Sequence, residues 1–186
     1  MKINKKWLKE KSACSEGYEW FVKRYKTDID VCELLLALTK DEHFDWARWV
    51  FLELGLPKKQ YMTFAIKCAE LVLPVFEKKY PLDARPRLAI EAAKNWAKNP
   101  TRANAAAASA AGYAAYAASA AAAGYAGYAA YAAYAGYAAY AAGDAAGAAG
   151  DAGDAGDAAG DAAGDAGDAK LKITKFMIAA LKAGKE

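Results

Sequence analysis

The chain has 186 residues, a length that suits one domain or one domain with an appended repeat. Its formal net charge is only +3, but the charge is uneven, because residues 111–169 carry seven Asp and no basic residue while the flanking residues are basic. The single histidine excludes the usual set of zinc ligands. An acidic segment in a basic chain pairs with the rest of the chain or faces a basic partner.

The first residues and the cysteines predict a cytoplasmic protein. The segment MKINKKWLKEKSACSEG is basic but has no apolar run of the kind that a secretion signal needs. The three cysteines, Cys14, Cys32 and Cys68, are widely spaced and include no C-x-x-C pair. We therefore expect reduced thiols in the core of a cytosolic protein.

The first half of the body predicts short helices separated by turn residues. In TDID, Thr27 is placed to cap a helix, with Asp30 three residues later in a variant of the capping box. Apolar residues follow at helical spacing, at Val31, Leu34, Leu35 and Leu38. A second helix should end at Gly55 before Pro57 and should carry Phe44, Trp46, Trp49, Val50 and Leu54.

Two further helices are predicted before residue 101. Residues 57–76 have their apolar side chains mostly on one face, and Pro74 should kink or end this helix. The next helix should stop at Asn99-Pro100 and should turn inward Ile90, Ala93 and Trp96 or Ala97. No stretch of strand length alternates apolar and polar residues. The sequence therefore predicts an all-α fold, a multi-helix bundle.

A run without charge lies between Arg102 and Asp144 and must be tested as a membrane span. It contains no Leu, Ile, Val or Phe, so it offers little hydrophobic driving force for insertion, and no membrane association is expected. From residue 125 to residue 140 a tyrosine stands at every third position. On a helix such rings wind around the axis, which predicts burial at the centre of the bundle. A base-stacking platform is disfavoured because no basic residue stands between the rings.

Seven aspartates follow at steps of three, four and seven residues, which is α-helical periodicity. We call them the Asp row: Asp144, Asp151, Asp154, Asp157, Asp161, Asp165 and Asp168. The glycines beside them each cost on the order of 1 kcal/mol of helix propensity, so this helix needs a packing partner to be stable. We expect a Tyr-rich helix and an antiparallel Asp/Gly/Ala helix, both packed closely against the N-terminal body. A flexible Gly-rich segment is the rival interpretation.

The end of the chain predicts a last amphipathic helix that docks on the body. Its apolar residues are Leu171, Ile173, Phe176, Met177, Ile178 and Leu181. The predicted organisation is a helical body over residues 1–100, a helical repeat over 101–169 and a terminal helix over 170–186, all in one compact domain.

No motif of a phosphate-binding loop, a dinucleotide site, a serine-hydrolase elbow or a zinc protease occurs in the sequence. GDAGDAGD lacks the closing Glu of an EF-hand, so a solvated carboxylate face is favoured over a cation site. A metal or acid–base cluster could be drawn from His43 with Asp41, Glu42 and Asp45, but a polar helix start explains the group better. We expect no metal and no cofactor.

The arginines of DARPR are the candidate anion ligands of the chain. Arg85 and Arg87 stand two residues apart and could bind a phosphate or a carboxylate. The favoured interpretation is a helix start with Asp83 at the cap and the arginines paired to a nearby Glu.

Two stretches resemble known families. KKWLKEKSACSEGYEWFVKRY is similar to a W-L-x4-A-C-x2-G-x3-F box found near the N-terminus of many bacterial and phage proteins, here Trp7, Leu8, Ala13, Cys14, Gly17 and Phe21. DARPRLAIEAAKNWAKNPTRANAAAASAAGYAAYAA resembles the centre of an Ala/Tyr/Asp-rich family of bacterial and phage immunity proteins, in which R-P-R-x-A-I-E-A-A and N-P-T precede a long helical tract. This second resemblance covers roughly residues 46–178, and the chain departs from the family pattern by placing Gly beside nearly every Asp.

The resemblance implies an all-helical, non-catalytic protein that neutralises a toxin by binding it or, in a phage, counters a host defence. We expect the Asp row to contact a basic face of the partner, such as a nuclease or a nucleotide-binding effector. The alternative is an acidic nucleic-acid mimic or a nucleic-acid-binding protein, whose binding would depend strongly on salt. An ice-ordering lattice is disfavoured because the repeat contains no Thr.

Overall fold

The structure is a computed structural model that describes residues 1–108 and 167–183. Helices form nearly all of the regular secondary structure in these ranges, which confirms the predicted all-α class. A short antiparallel ribbon accompanies them, in which β1 (Lys2–Ile3) pairs with β2 (Ile29–Asp30). The sequence did not reveal this ribbon, because two residues per strand are too few for a visible alternation.

The predicted Tyr-rich helix and most of the predicted Asp/Gly/Ala helix fall in residues 109–166, outside the described residues. The packing expected of these two helices therefore stays a prediction. Of the helices in the two described ranges, none has the length and apolar character needed to cross a membrane.

The contacts divide the chain into two compact units, of which the first is Met1–Gly55. Its helices are α1 (Lys5–Glu10), α2 (Ser15–Arg24), α3 (Val31–Lys40) and α4 (Phe44–Glu53). Helix α3 packs against α4. The core includes Ile3, Leu8, Phe21, Leu34, Leu35 and Phe51. The predicted end of α4 is confirmed, and Gly55 after it has a φ of 62°, in the left-handed region that favours glycine.

The residue that caps α3 differs from the predicted one. Thr27 was expected at the cap, but the helix begins at Val31 and its N-cap is Asp30, whose Oδ1 accepts the Cys32 N–H at 2.9 Å. The reason is the ribbon, because Ile29 and Asp30 are extended in β2 and the Val31 N–H donates to the Met1 carbonyl at 3.0 Å. Because Ile29 and Asp30 pair with the start of the chain, the helix begins at Val31, several residues later than a cap at Thr27 predicts.

The second unit is Leu56–Glu186. Its described helices are α5 (Lys58–Lys79), α6 (Arg85–Lys98), α7 (residues 102–108) and α8 (Gly167–Lys182). Helix α5 contacts both α6 and α8, so it carries the core of this unit. The buried residues include Met62, Phe64 and Phe76 on α5, Ile90 and Ala93 on α6, and Ile173 and Met177 on α8. The predicted stop at Asn99-Pro100 is confirmed, and Trp96 and Ala97 are half-buried.

Helix α5 does not end at Pro74, as the sequence allowed, but continues for another turn to Lys79. A proline in a helix removes one hydrogen bond to the carbonyl four residues earlier. Pro74 is exposed, so water can reach the carbonyl that loses its partner. The apolar face of α5 continues past this position, since Phe76 is buried.

The three cysteines do not share one environment, so the expectation of core thiols is wrong for two of them. All three are free thiols, but Cys14 is exposed, Cys32 is half-buried and Cys68 is buried. Cys14 occupies the N-cap of α2, where its Sγ accepts the Gly17 N–H at 3.4 Å, and a capping residue lies at the end of a helix where solvent reaches it. Burial raises the pKa of the Cys68 thiol, which keeps it protonated at neutral pH.

The last helix docks on α5, as the sequence predicts. Ile173, Met177 and Leu181 are buried at the spacing of one helix face. Gln60 of α5 is also buried, and its Nε2 donates to the carbonyls of Ala180 and Leu181 at 2.9 and 3.3 Å. Carbonyls in the last turn of a helix have no partner within the helix, so Gln60 satisfies two acceptors that the fold has buried.

The predicted domain organisation has boundaries after residues 100 and 169, whereas the compact units meet between Gly55 and Leu56. The boundary between units thus lies inside the segment predicted as one helical body. The division of the second unit into a repeat and a terminal helix remains a prediction, since the repeat lies mostly outside the described residues.

We expect Gln60→Leu to loosen the end of α8, because the substitution keeps the size of the side chain but leaves two buried carbonyls without their donor. The expected cost is about 1–3 kcal/mol, or roughly 10–100-fold faster hydrogen exchange in residues 170–183 measured by mass spectrometry. Thr63→Ala is the matched control, because the Thr63 hydroxyl bonds to the Lys59 carbonyl on the exposed side of the same helix. Unchanged exchange in Gln60→Leu would show that the two hydrogen bonds do not hold α8.

Candidate functional site

The site residues predicted from the sequence are the Asp row and the arginine pair Arg85 and Arg87. Most of the Asp row lies outside the residues that the structure describes. The Asp row from Asp144 to Asp165 lies outside the described residues. The backbone of Asp168 lies in the first turn of α8, and its side chain is outside the description. The Asp row as a partner surface therefore stays a prediction.

Arg85, the first candidate anion ligand, is held by Asp83 at the start of α6. Its Nε and Nη2 donate to the two carboxylate oxygens of Asp83 at 2.9 and 2.6 Å, and its backbone N–H donates to the same carboxylate at 3.1 Å. These bonds from Arg85 lower the pKa of Asp83 below its ordinary value. The pKa of Arg85 is raised by the same hydrogen bonds. The N-cap position itself is Ala84, one residue later than the predicted cap.

Arg87, the second candidate, joins α6 to α5. Its Nε and Nη2 donate to the two carboxylate oxygens of Glu77 at 2.7 and 2.6 Å, a bidentate geometry, and this pairing raises the pKa of Arg87. Further along the same pair of helices, Lys94 Nζ lies 2.5 Å from a carboxylate oxygen of Glu70. Both guanidinium groups thus already have a carboxylate, and an external anion would have to displace it.

Two leucines beside this arginine pair are exposed. The exposed fraction is 98% for Leu82, in the loop before α6, and 55% for Leu88, in the second turn of α6. The buried positions of the same helix are Pro86, Ala89, Ile90 and Ala93. The sequence pattern indicates that Leu88 is exposed, because Leu88 does not belong to the helical spacing that joins these four buried residues.

A cavity of about 290 Å³ lies within the first unit. Buried apolar side chains of α2, α3 and α4 form its floor, including Phe21, Leu34 and Val50. Its walls are three half-buried tryptophans, Trp20, Trp46 and Trp49. The exposed residues Ser12 and Cys14 lie at its rim. No charged side chain is among the described residues that line it.

The N-terminal W-L-x4-A-C-x2-G-x3-F box supplies part of the lining of this cavity. Five of its six residues line the cavity, namely Leu8, Ala13, Cys14, Gly17 and Phe21. The sixth, Trp7, packs edge-to-face on the cavity wall at Trp49, with ring centroids 6.0 Å apart. Gly17 allows a close approach, because a Cβ there would lie 3.2 Å from Cys14 Sγ and 3.6 Å from the Trp46 ring. The residue spacing of the box thus predicts that these residues lie on contacting helix faces. It does not predict that a cavity remains between the helices.

A chain of contacts fixes two of the tryptophan walls. The Asp41 carboxylate accepts two hydrogen bonds from the Arg24 guanidinium, which lies 5.0 Å from the centre of the Trp20 ring. Trp20 in turn meets His43 edge-to-face with centroids 5.9 Å apart. His43 stacks on Trp46 at 4.0 Å. Cation–π and aromatic contacts of this kind each contribute on the order of 0.5–1.5 kcal/mol.

The structure shows the contacts of His43 and Asp41, two members of the candidate metal or acid–base cluster. The favoured interpretation was a polar helix start, and His43 is indeed the residue before α4, but its side chain makes no capping hydrogen bond and packs between two indole rings instead. Asp41 is committed to Arg24. Within residues 1–108 and 167–183 no group of His, Cys, Asp or Glu is arranged to hold a metal ion.

The two units match two different protein families. A family model described as "Imm-5 like putative immunity protein" matches residues 55–163, which is more than half of the chain. The chain therefore belongs to this immunity-protein family. A second model, the YdhT N-terminal domain, matches residues 1–53, so the first unit is similar to that domain. No curated protein and no solved structure matches the chain.

The Asp83–Arg85 pair predicts a pH-dependent stability. Because the folded pKa of Asp83 is lowered, its contribution is fully present above the unfolded pKa of about 4 and is lost as the pH falls through the folded value. We expect Asp83→Asn to unfold at lower urea concentration than the unmodified chain at neutral pH, with the difference disappearing in acid.

Urea unfolding of the Asp83→Asn variant and of the unmodified chain, from neutral pH into acid, measures this difference in stability. Asp28→Asn is the matched control, since Asp28 is exposed in the other unit. A difference between the Asp83 variant and the unmodified chain that persists unchanged into acid would contradict the assignment.

Proposed function

We propose that this protein is a non-catalytic inhibitor that binds a partner protein in a one-to-one complex, as a bacterial immunity protein binds its toxin. The observation that carries the proposal is its membership of the immunity-protein family over residues 55–163. An immunity protein acts by occupying its partner, so affinity and not turnover determines protection. In a phage, the same binding would neutralise a host defence effector.

The acidic segment of the sequence supports a basic surface on the partner. The Asp row adds seven negative charges without a basic residue between them. In the second unit, Arg85, Arg87 and Lys94 are already paired with carboxylates of α5 and of the loop before α6. These three cations would have to leave Asp83, Glu77 and Glu70 in order to pair with the Asp row. We propose that a basic face on the partner pairs with the Asp row instead.

The partner class that fits this surface is a nuclease or a nucleotide-binding effector. Enzymes of this kind present lysines and arginines to phosphate groups. A row of carboxylates can occupy the same positive groove, which both attracts the inhibitor electrostatically and excludes the substrate. Inhibition then follows from occupancy of the groove, with no chemical step in the inhibitor.

A titration of a toxin nuclease that binds this chain tests the proposal. Nuclease activity should fall linearly as the chain is added and should reach zero at equal molar amounts, and co-expression should restore growth of a bacterial host. Light scattering of the mixture should show the mass of a one-to-one complex. Complete inactivation at one-tenth of the equimolar amount would indicate catalysis, and full activity at equal amounts would contradict inhibition.

Reversal of charge in the Asp row tests the surface separately from the inhibition. Changing Asp154, Asp157 and Asp161 to Lys should weaken the complex by about tenfold or more, because close charge pairs across an interface contribute strongly to affinity. The matched control changes Glu10, Glu19 and Asp28 to Lys, three exposed carboxylates of the first unit, and adds the same net charge.

The difference between these two triple variants in isothermal titration calorimetry is the decisive quantity. Circular dichroism of both variants checks that the helices remain folded. Equal affinities of the two triple variants would show that the Asp row is not the contact surface. The activity titration tests the inhibition separately.

A further inference from the structure

The cavity of the first unit has the anatomy of a small-molecule site. Its volume of about 290 Å³ is near the lower end of the range of roughly 300–1,000 Å³ that is typical of ligand pockets. The floor is apolar and buried, the walls are indole rings, and the opening is marked by the exposed residues Ser12 and Cys14. This cavity lies in the first unit, whereas the proposed inhibition is assigned to the second unit.

The tryptophans that line the cavity also contact residues outside its lining. Trp20 and Trp46 both pack against His43, and the Arg24 guanidinium lies over the Trp20 ring. The third wall, Trp49, is fixed by Trp7. Rings that are already in position lose little conformational freedom when a ligand binds, so the site is preorganised.

We propose that the first unit binds an uncharged, flat aromatic molecule of one or two fused rings in this cavity. The flat shape follows from the indole walls, which offer faces and edges for offset-stacked and edge-to-face contacts. The absence of charge follows from the lining, because an ion placed among the described lining residues would lose its hydration without gaining a counter-charge. The size follows from the volume.

Binding of a neutral naphthyl probe to the unmodified full-length chain is the first test. 6-Propionyl-2-(dimethylamino)naphthalene is uncharged and flat, has two fused rings, and shifts its fluorescence to the blue when it enters an apolar site. We expect saturable binding of one molecule per chain, with energy transfer from the tryptophans that line the cavity. A signal that rises without saturation up to the solubility limit of the probe would overturn the proposal.

Alkylation of Cys14 by iodoacetamide gives a second readout that needs no substitution. Cys14 lines the cavity and is exposed, whereas Cys32 is half-buried away from the lining and Cys68 is buried. At a probe concentration ten times its Kd, alkylation of Cys14 should slow by about tenfold, because the occupied fraction is shielded. The rate at Cys32 should stay the same. Equal rates at Cys14 with and without the probe would place the probe elsewhere.

Filling the cavity gives the third readout. Ala13 lines the cavity from the loop between α1 and α2, so Ala13→Phe can add a ring to the space without a change inside a helix. We expect probe affinity to fall at least tenfold. Ala103→Phe is the matched control, since it adds the same ring at an exposed position of α7 in the other unit.

Leu82→Ala with Leu88→Ala removes the exposed leucines beside α6 and should leave probe affinity unchanged. Equal affinity of the Ala13→Phe variant and the unmodified chain would overturn the cavity as the site, as would loss of binding in the double leucine variant.

Discussion

Burial of α5 by two other helices holds the second unit together. Helices α6 and α8 both pack against α5, although α8 lies far from it along the chain. Fully burying a large apolar side chain stabilises a fold by about 1.5–3 kcal/mol, and Phe64, Phe76 and Met177 are of this kind. The polar contacts follow this packing, since Gln60 can reach the end of α8 and Arg87 can reach Glu77 only where the helices are already side by side.

In the first unit, aromatic and cation–π contacts join the side chains around the cavity. Its tryptophans are half-buried, so they are held less by burial than by one another and by the rings and cations beside them. The contacts run from Asp41 through Arg24 and Trp20 to His43 and Trp46. These contacts join two of the tryptophans that line the cavity to residues outside its lining.

Family membership and chain geometry divide the protein at the same place. The match to the YdhT N-terminal domain ends at residue 53 and the immunity-protein match begins at residue 55, while the compact units meet between Gly55 and Leu56. The two units also differ in chemistry, since the first presents an uncharged aromatic cavity and the second carries the Asp row. We propose inhibition for the second unit and ligand binding for the first, so the two proposals can be tested independently.

The sequence by itself determined the features that local chemistry controls. The end of α4 at Gly55, the stop at Asn99-Pro100 and the apolar face of α8 depend on residues a few positions apart, so spacing and turn chemistry predicted them. Tertiary structure determines the cap of α3, because Asp30 pairs with the start of the chain, and it determines the existence of the cavity. It also places Glu77 of α5 beside Arg87 of α6. These features depend on side chains brought together from distant helices, and one-dimensional periodicity records which residues face inward but not which residues they meet.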